Sequence, residues 1–299
     1  MKKILLITLS CLTLFACTKE SNTKPETEVK KYDVTFSMEG FSQGVAKMST
    51  PTKGILAFGD TLKNYVDYLN YRIYNSNGVL VNSVNQASTY PNFGTITDKL
   101  PAGTYNVLFV GAKADMNFST GSYTGGYFST NNSSGFFDDT FAKRLSLTVS
   151  ASAVTQQVRL DREVSGLDVV LEDAIPVNAA KVTVVIQNDL TIMYADGHSY
   201  SPSIARTIDY TLVAADKGVK NKRFSAFVAN TYTPTSIIVR AYDSSNGLIV
   251  EKTITNIQFV KNQRTILTGS LFPTSASSTV GFTVVVNPIW ETPATPVRF

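Results

Sequence analysis

The chain has 299 residues, with 27 Lys+Arg against 23 Asp+Glu for a net charge of +4, and it is 43% hydrophobic and 17% charged. A balance this even, with no dense Lys/Arg stripe, excludes a nucleic-acid-binding footprint, and a single histidine excludes a multi-histidine metal centre. The hydrophobic share is ample for a core, and the abundance of Tyr, Phe, Val, Thr and Ser favours strands over helices.

Met1-Lys2-Lys3 is a short positive segment, followed by the apolar, uncharged run Ile4 to Ala16. That run is too short to span a bilayer, which takes about 20 apolar residues, and it fits a secretory signal. It closes on Leu14-Phe15-Ala16-Cys17, which resembles the lipobox of bacterial lipoproteins. A lipid is attached to the Cys17 thiol there, and cleavage before it requires a small residue at Ala16. Phe15 is bulkier than most lipoboxes carry, and Cys11 lies too far inside the run to be the acceptor. An ordinary signal peptide with an incidental cysteine is the alternative. The expectation is a signal peptide over 1–16, with Cys17 as the lipidated mature N-terminus and the outer membrane as its anchoring surface. Removing Lys2 and Lys3 leaves 25 − 23, a net of +2, and Cys17 as the only cysteine. No disulfide or cysteine nucleophile is then left in the body. Residues 17–30 are polar and charged, cannot bury enough surface to order themselves, and read as a flexible tether reaching at most about 45–50 Å.

Alternation takes over beyond the tether. Tyr32, Val34, Phe36 and Met38 alternate with Asp33, Thr35 and Ser37, the period-2 signature of a half-buried strand. A short helix is expected around Asp60–Tyr68. Tyr68 to Tyr74 reads as a strand, Asn75-Ser76-Asn77-Gly78 as a turn tolerating positive φ, and Val79-Leu80-Val81 as the return. Leu100-Pro101-Ala102-Gly103 turns the chain into a strand over Thr104 to Val110. Residues 117–135, rich in Gly, Ser, Thr, Asn and aromatics, read as a long surface loop. Strands are expected next at Leu145–Val149, Val158–Leu160, Val164–Leu171 and Lys181–Gln187, then a polar loop over 194–205. Further strands are expected at Ile208–Val213, Phe224–Val228, Ser236–Tyr242, Leu248–Thr253, Arg264–Leu271 and Gly281–Val286. Many short strands separated by turn signals make an all-β chain of the sandwich kind.

One internal echo stands out. Arg72-Ile73-Tyr74-Asn75-Ser76-Asn77-Gly78-Val79-Leu80-Val81 resembles Arg240-Ala241-Tyr242-Asp243-Ser244-Ser245-Asn246-Gly247-Leu248-Ile249-Val250, with one extra turn residue in the second copy. It suggests two domains of shared topology, each carrying this hairpin, with a boundary near Arg162–Glu163.

The order of motifs is similar to that of the fimbrillin superfamily of Bacteroidota, including its fimbrial anchor lipoproteins. The matching stretches are Leu100-Pro101-Ala102-Gly103-Thr104-Tyr105, Val158-Arg159-Leu160-Asp161-Arg162-Glu163-Val164, Leu171-Glu172-Asp173-Ala174-Ile175-Pro176 and Lys261-Asn262-Gln263-Arg264-Thr265 before Gly269-Ser270-Leu271. Phe282-Thr283-Val284-Val285-Val286 closes the series, ending near Trp290. The resemblance implies two tandem transthyretin-like β-sandwich domains, here 31–162 and 163–299, in a non-enzymatic surface lipoprotein that serves as a pilus subunit. It implies other fimbrial subunits as partners, with a host protein or glycan as a further one. Shaft subunits of the superfamily lose their first strand to an Arg-specific protease, and a strand of the next subunit fills the groove by β-augmentation. In this chain the first arginine is Arg72, so no such cut separates the strand Tyr32–Met38 from the residues up to Tyr71; Lys47 and Lys53 remain open to a lysine-cutting protease. An anchor or other unprocessed accessory subunit is therefore expected.

The remaining chemistry is sparse. His198 reads as a surface-loop residue, no serine lies in a G-x-S-x-G elbow, and no cofactor is expected. Asp138-Asp139 matches no calcium loop and reads as a solvated turn. Gly121 to Tyr127 lacks the lysine and helix of a phosphate loop. The aromatic loop of Tyr123, Tyr127, Phe128, Phe136 and Phe137 is the candidate binding surface, set against simple packing of those rings beneath the loop. The competing function is glycan binding in a nutrient-capture system. The tail Glu291 to Phe299, with Pro293 and Pro296, is a poor donor strand.

Overall fold

The computed structural model describes residues 29–41, 62–119, 121–197, 203–272 and 281–287. Cys17, Ala16, Lys47, Lys53, His198 and the tail after Asn287 lie outside them. Contact density divides the chain at Lys30/Lys31, and every strand among the described residues belongs to the second unit, Lys31–Phe299.

The fold is all-β. In chain order the strands are β1 (Lys31–Phe41), β2 (Tyr68–Asn75), β3 (Leu80–Ala87), β4 (Thr95–Pro101), β5 (Gly103–Ala112), β6 (Met116–Phe118), β7 (Tyr127–Thr130), β8 (Thr140–Val149) and β9 (Val154–Arg162). They continue as β10 (Ser165–Leu171), β11 (Lys181–Leu190), β12 (Met193–Tyr194), β13 (Ser203–Thr211), β14 (Lys222–Val228), β15 (Thr235–Tyr242), β16 (Leu248–Ile257), β17 (Arg264–Gly269) and β18 (Phe282–Asn287). The helix expected around Asp60–Tyr68 is a single 3-10 turn, Leu62–Asn64.

The pairing pattern occurs twice. β1 pairs antiparallel with β4 and parallel with β9; β10 pairs antiparallel with β14 and parallel with β17. The facing layers run β3-β2-β5-β8 and β13-β11-β15-β16. In the first half β8 also meets β9 at Phe141↔Arg162 and Ala142↔Asp161, which merges the layers into one seven-stranded sheet. Its two end strands are bridged by side chains: Asn82 Nδ2 donates to Asp98 Oδ1 at 3.0 Å and Gln86 Nε2 to Thr95 O at 2.7 Å. In the second half β18 adds a strand beyond β17. One apolar core lies between the layers of each half, around Phe36, Tyr71 and Phe109 in the first and Val184, Val239 and Leu267 in the second.

The echo holds as local geometry but not as position. Asn75 Oδ1 accepts from the amides of Asn77 and Val79, each at 3.0 Å, and Asp243 Oδ1 accepts from those of Ser245 and Gly247 at 2.8 and 2.7 Å. Gly78 (φ 77°) and Asn246 (φ 61°) hold the same left-handed place. The same bulge comes next, between Ile73/Tyr74 and between Ala241/Tyr242. The loops are therefore equal in length, and the extra residue expected in the second copy is not an insertion. In the layer order, however, β2–β3 corresponds to β11–β13, and β15–β16 to β5–β8. The echoing hairpins are not counterparts.

Candidate assembly site: the first strand and the junction

β1 lies between β4 and β9 rather than at an edge, because its alternation suits a strand with one face in a core. Its register runs from Lys31↔Pro101 to Ser37↔Thr95 on one side and from Val34↔Val154 to Phe41↔Leu160 on the other. Val34 and Phe36 are completely buried and Phe41 nearly so. The Phe36 ring centroid stands 5.1 Å from that of Phe109 and 5.6 Å from that of Tyr71, and Phe41 stands 4.4 Å from Phe141. Polar residues of β1 face outward, where Asp33 pairs with Lys99 at 2.9 Å and Glu39 with Arg159 at 3.7 Å. Removing β1 would open a groove with unpaired main-chain groups on two strands and pockets for alternate side chains, the chemistry that captures an added strand.

β9 delivers Arg162 and Glu163 to the junction. Arg162, with no side-chain exposure, donates from Nε and Nη2 to the two oxygens of Asp139 at 2.7 and 2.8 Å, and from Nη1 to Asn262 Oδ1 of the second half at 3.1 Å. Glu163 accepts from Arg144 Nη1 at 2.7 Å and from Lys261 Nζ at 2.5 Å, one cation from each half. Burial raises the Asp139 carboxyl above its ordinary range, against the pull of Arg162. Asp138-Asp139 is thus not a solvated turn: Asp138 accepts from Asn132 at 3.0 Å, and Asp139 is a buried partner of the junction arginine.

The surface loop expected over 117–135 contains β6 and β7, which with β12 form a third small sheet. Its pairing of Met193↔Phe128 and Tyr194↔Tyr127 ties the second half to the first. Phe128 and Phe137 are completely buried in a cluster that also takes Leu108, Val110, Val164, Leu190 and Ala229. Those two rings are therefore not part of a binding surface, because they fill the seam between the halves. Tyr123 packs on the margin, 5.3 Å from Tyr74, and Phe136 is half-buried beside Arg206, which lies 5.1 Å from its ring. Tyr127 is the exposed member of the five. Among the described residues, no group of three His, Cys, Asp or Glu could hold a metal ion. Arg162 and Glu163 stand out in the sequence only as a boundary. Their ion-pair roles have no local signal, since Asp139 and Lys261 are remote in the chain.

The sequence matches the family model of the fimbrillin-A associated anchor proteins Mfa1 and Mfa2 over residues 24–293. No curated protein matches it. Among solved structures, the fimbrial anchor protein Mfa2 of Porphyromonas gingivalis aligns with a TM-score of 0.53 at 12% identity, over 86% of this chain and 97% of that one. A Bacteroides thetaiotaomicron protein put forward as polysaccharide-binding aligns at 0.55 and 10% identity, over 80% and 92%. A candidate adhesin of Bacteroides ovatus aligns at 0.51 and 10% identity, over 85% and 96%. At these identities the likeness is one of fold.

Proposed function

The chain belongs to the fimbrillin-A associated anchor proteins and is a fimbrial subunit; from that premise we propose that it is an anchor or accessory subunit, held at the outer membrane by a lipid on Cys17 and keeping its first strand. The observation that carries the proposal is the seat of β1. The strand is bonded on both sides and plugs the first core with Val34, Phe36 and Phe41. No arginine precedes Arg72, so an Arg-specific cut cannot free it. Lipid, tether and folded body then stay one covalent piece, as an anchor requires. Lys31–Arg162 and Glu163–Phe299 are taken as two tandem transthyretin-like sandwich domains, a division supported by the doubled pairing pattern. Contacts to other fimbrial subunits are the proposed means of assembly and adhesion. A nutrient-capture glycan lipoprotein is the weaker reading, because Phe128 and Phe137, two of the rings it would use, are buried.

The test is the mass of the protein recovered from cell-surface fimbriae. A lipidated species continuous from Cys17 is expected. A species beginning near Met48 or Gly54 overturns the proposal. In parallel, Cys17→Ser is expected to release the protein into the medium and leave fimbriae shed or overlong.

A further inference from the structure

The described arginines other than Arg72 each meet a carboxylate, at 2.6–3.7 Å. Arg72 makes no ion pair or hydrogen bond within the described residues. It sits on β2, on the face turned away from the first core, since Leu69, Tyr71 and Ile73 fill that core and strand residues alternate in direction. Its guanidinium carbon lies 3.9 Å from the ring centroid of Phe118, and its Nε is sealed from solvent without a partner. Burial pushes the guanidinium pKa down from its ordinary value, as expected of a cation with no anion to offset lost hydration. Two residues back on the same face, Asn70 is 1% exposed, and neither amide atom has a partner. Such orphaned groups are costly to keep and call for an explanation. Across the ladder, Ser83 stands opposite Arg72 and Asn85 opposite Asn70, both exposed.

These residues make a patch with one planar cation stacked on an aromatic ring and flanked by the exposed hydroxyl of Ser83 and the exposed amide of Asn85, with Asn70 sealed beneath. We propose that it is a binding site for a carboxylate-bearing sugar. The two Nη groups of the guanidinium, which unlike Nε are not sealed from solvent, match a carboxylate in a two-point pair, and Ser83 and Asn85, across the ladder on the same face, are within the span of a sugar's ring hydroxyls. Neither β2 nor β3 carries a second basic side chain, which suits a monoanion over a phosphate. The inference does not depend on β1 being retained and goes beyond the anchor reading.

The test is calorimetric titration of the full-length protein with glucuronate, glucose and acetate. Glucuronate is expected to bind, glucose not, and acetate at least tenfold more weakly than glucuronate. Arg72→Gln should weaken glucuronate at least tenfold. Ser83→Asp places a carboxylate directly opposite Arg72; it should abolish binding and raise the melting temperature, a readout that does not depend on any ligand. No detectable glucuronate binding, equal binding of glucose or acetate, or unchanged affinity in either variant overturns the proposal.

Discussion

Replacing Phe36 by Ala tests whether the first strand is integral to the fold. Phe36 has no solvent exposure, and its ring meets Phe109 edge-on and Tyr71 at a tilt. Truncation removes the transfer free energy of the ring and leaves a cavity between the layers; such changes cost about 3–5 kcal/mol. Collapse into the void is hindered because β1 is bonded to β4 and β9 on its two sides, which favours the upper part of that range. At about 2–4 °C per kcal/mol for a chain of this size, the melting temperature should fall by roughly 10 °C or more. Urea unfolding gives the free energy through the shift in midpoint at constant slope. Val286→Ala is the control: Val286 lies on β18 and is 40% exposed, so the change should stay within about 0.5 kcal/mol. If Phe36→Ala costs under about 1 kcal/mol, or no more than the control, β1 is not a core strand and the anchor proposal loses its physical basis.

Three further outcomes are expected from the geometry. Asp168 is fully buried, accepting from Ser225 Oγ at 2.5 Å and Arg223 Nη1 at 3.1 Å, with buried Arg264 at 3.4 Å. Asp168→Ala should cost about 3–5 kcal/mol by stranding a buried cation, whereas Arg223→Ala, whose side chain is 43% exposed, should cost under about 1 kcal/mol; urea midpoints separate the two. Burial pushes the Tyr210 hydroxyl up to about 12, while an unfolded tyrosine ionises near 10. The folded state therefore holds the proton longer, and that stabilisation is present below about pH 10 and lost as pH rises through about 12. Tyr210→Phe should remove this part of the alkaline slope, seen in denaturation midpoints between those limits; an unchanged slope refutes the assignment. At the matched turns, Gly78→Val should cost more than about 1 kcal/mol because φ is positive, while Asn246→Gly should be neutral or slightly stabilising, both by thermal melts.

Alternation locates the strands that have one face in a core and the other toward solvent, as in β1, β8 and β9. It misses β4, whose Thr-Ile-Thr-Asp-Lys-Leu-Pro carries only two core residues, Ile96 and Leu100, among polar neighbours. β6 and β7 are hidden in a segment whose composition reads as loop, and they exist because Phe118 and Phe128 can pack over the far face of β5. β10 is buried along its whole length, so its pattern no longer reports two environments. The hairpin echo is legible because Asx-type hydrogen bonds and positive φ are local. Its place in the layer order is not, since that depends on pairings tens of residues apart. For the candidate site, the seat of β1 can be read from Val34 and Phe36. The buried fate of Phe128 and Phe137 cannot, because aromatic composition is the same for a binding surface and for a seam between two packed halves.

The parallel pairing of β1 with β9, repeated in β10 with β17, bears on how the molecule carries load. In the first half the entering strand β1 and the leaving strand β9 lie side by side and point the same way, and in the second half β10 and β17 do so before β18. Tension applied where β1 begins, at Lys31, and where β9 ends, at Arg162, acts along both strands in opposite senses. The hydrogen bonds between them are then strained together in shear instead of being peeled one at a time, and rupture requires many to fail at once. The main chain carries the force on from Arg162 to Glu163, and the Arg162 side chain, bonded to Asp139 and Asn262, ties the two halves together at that point. For a fimbrial subunit loaded between Lys31 and Arg162, this places the resistance along the line of pull.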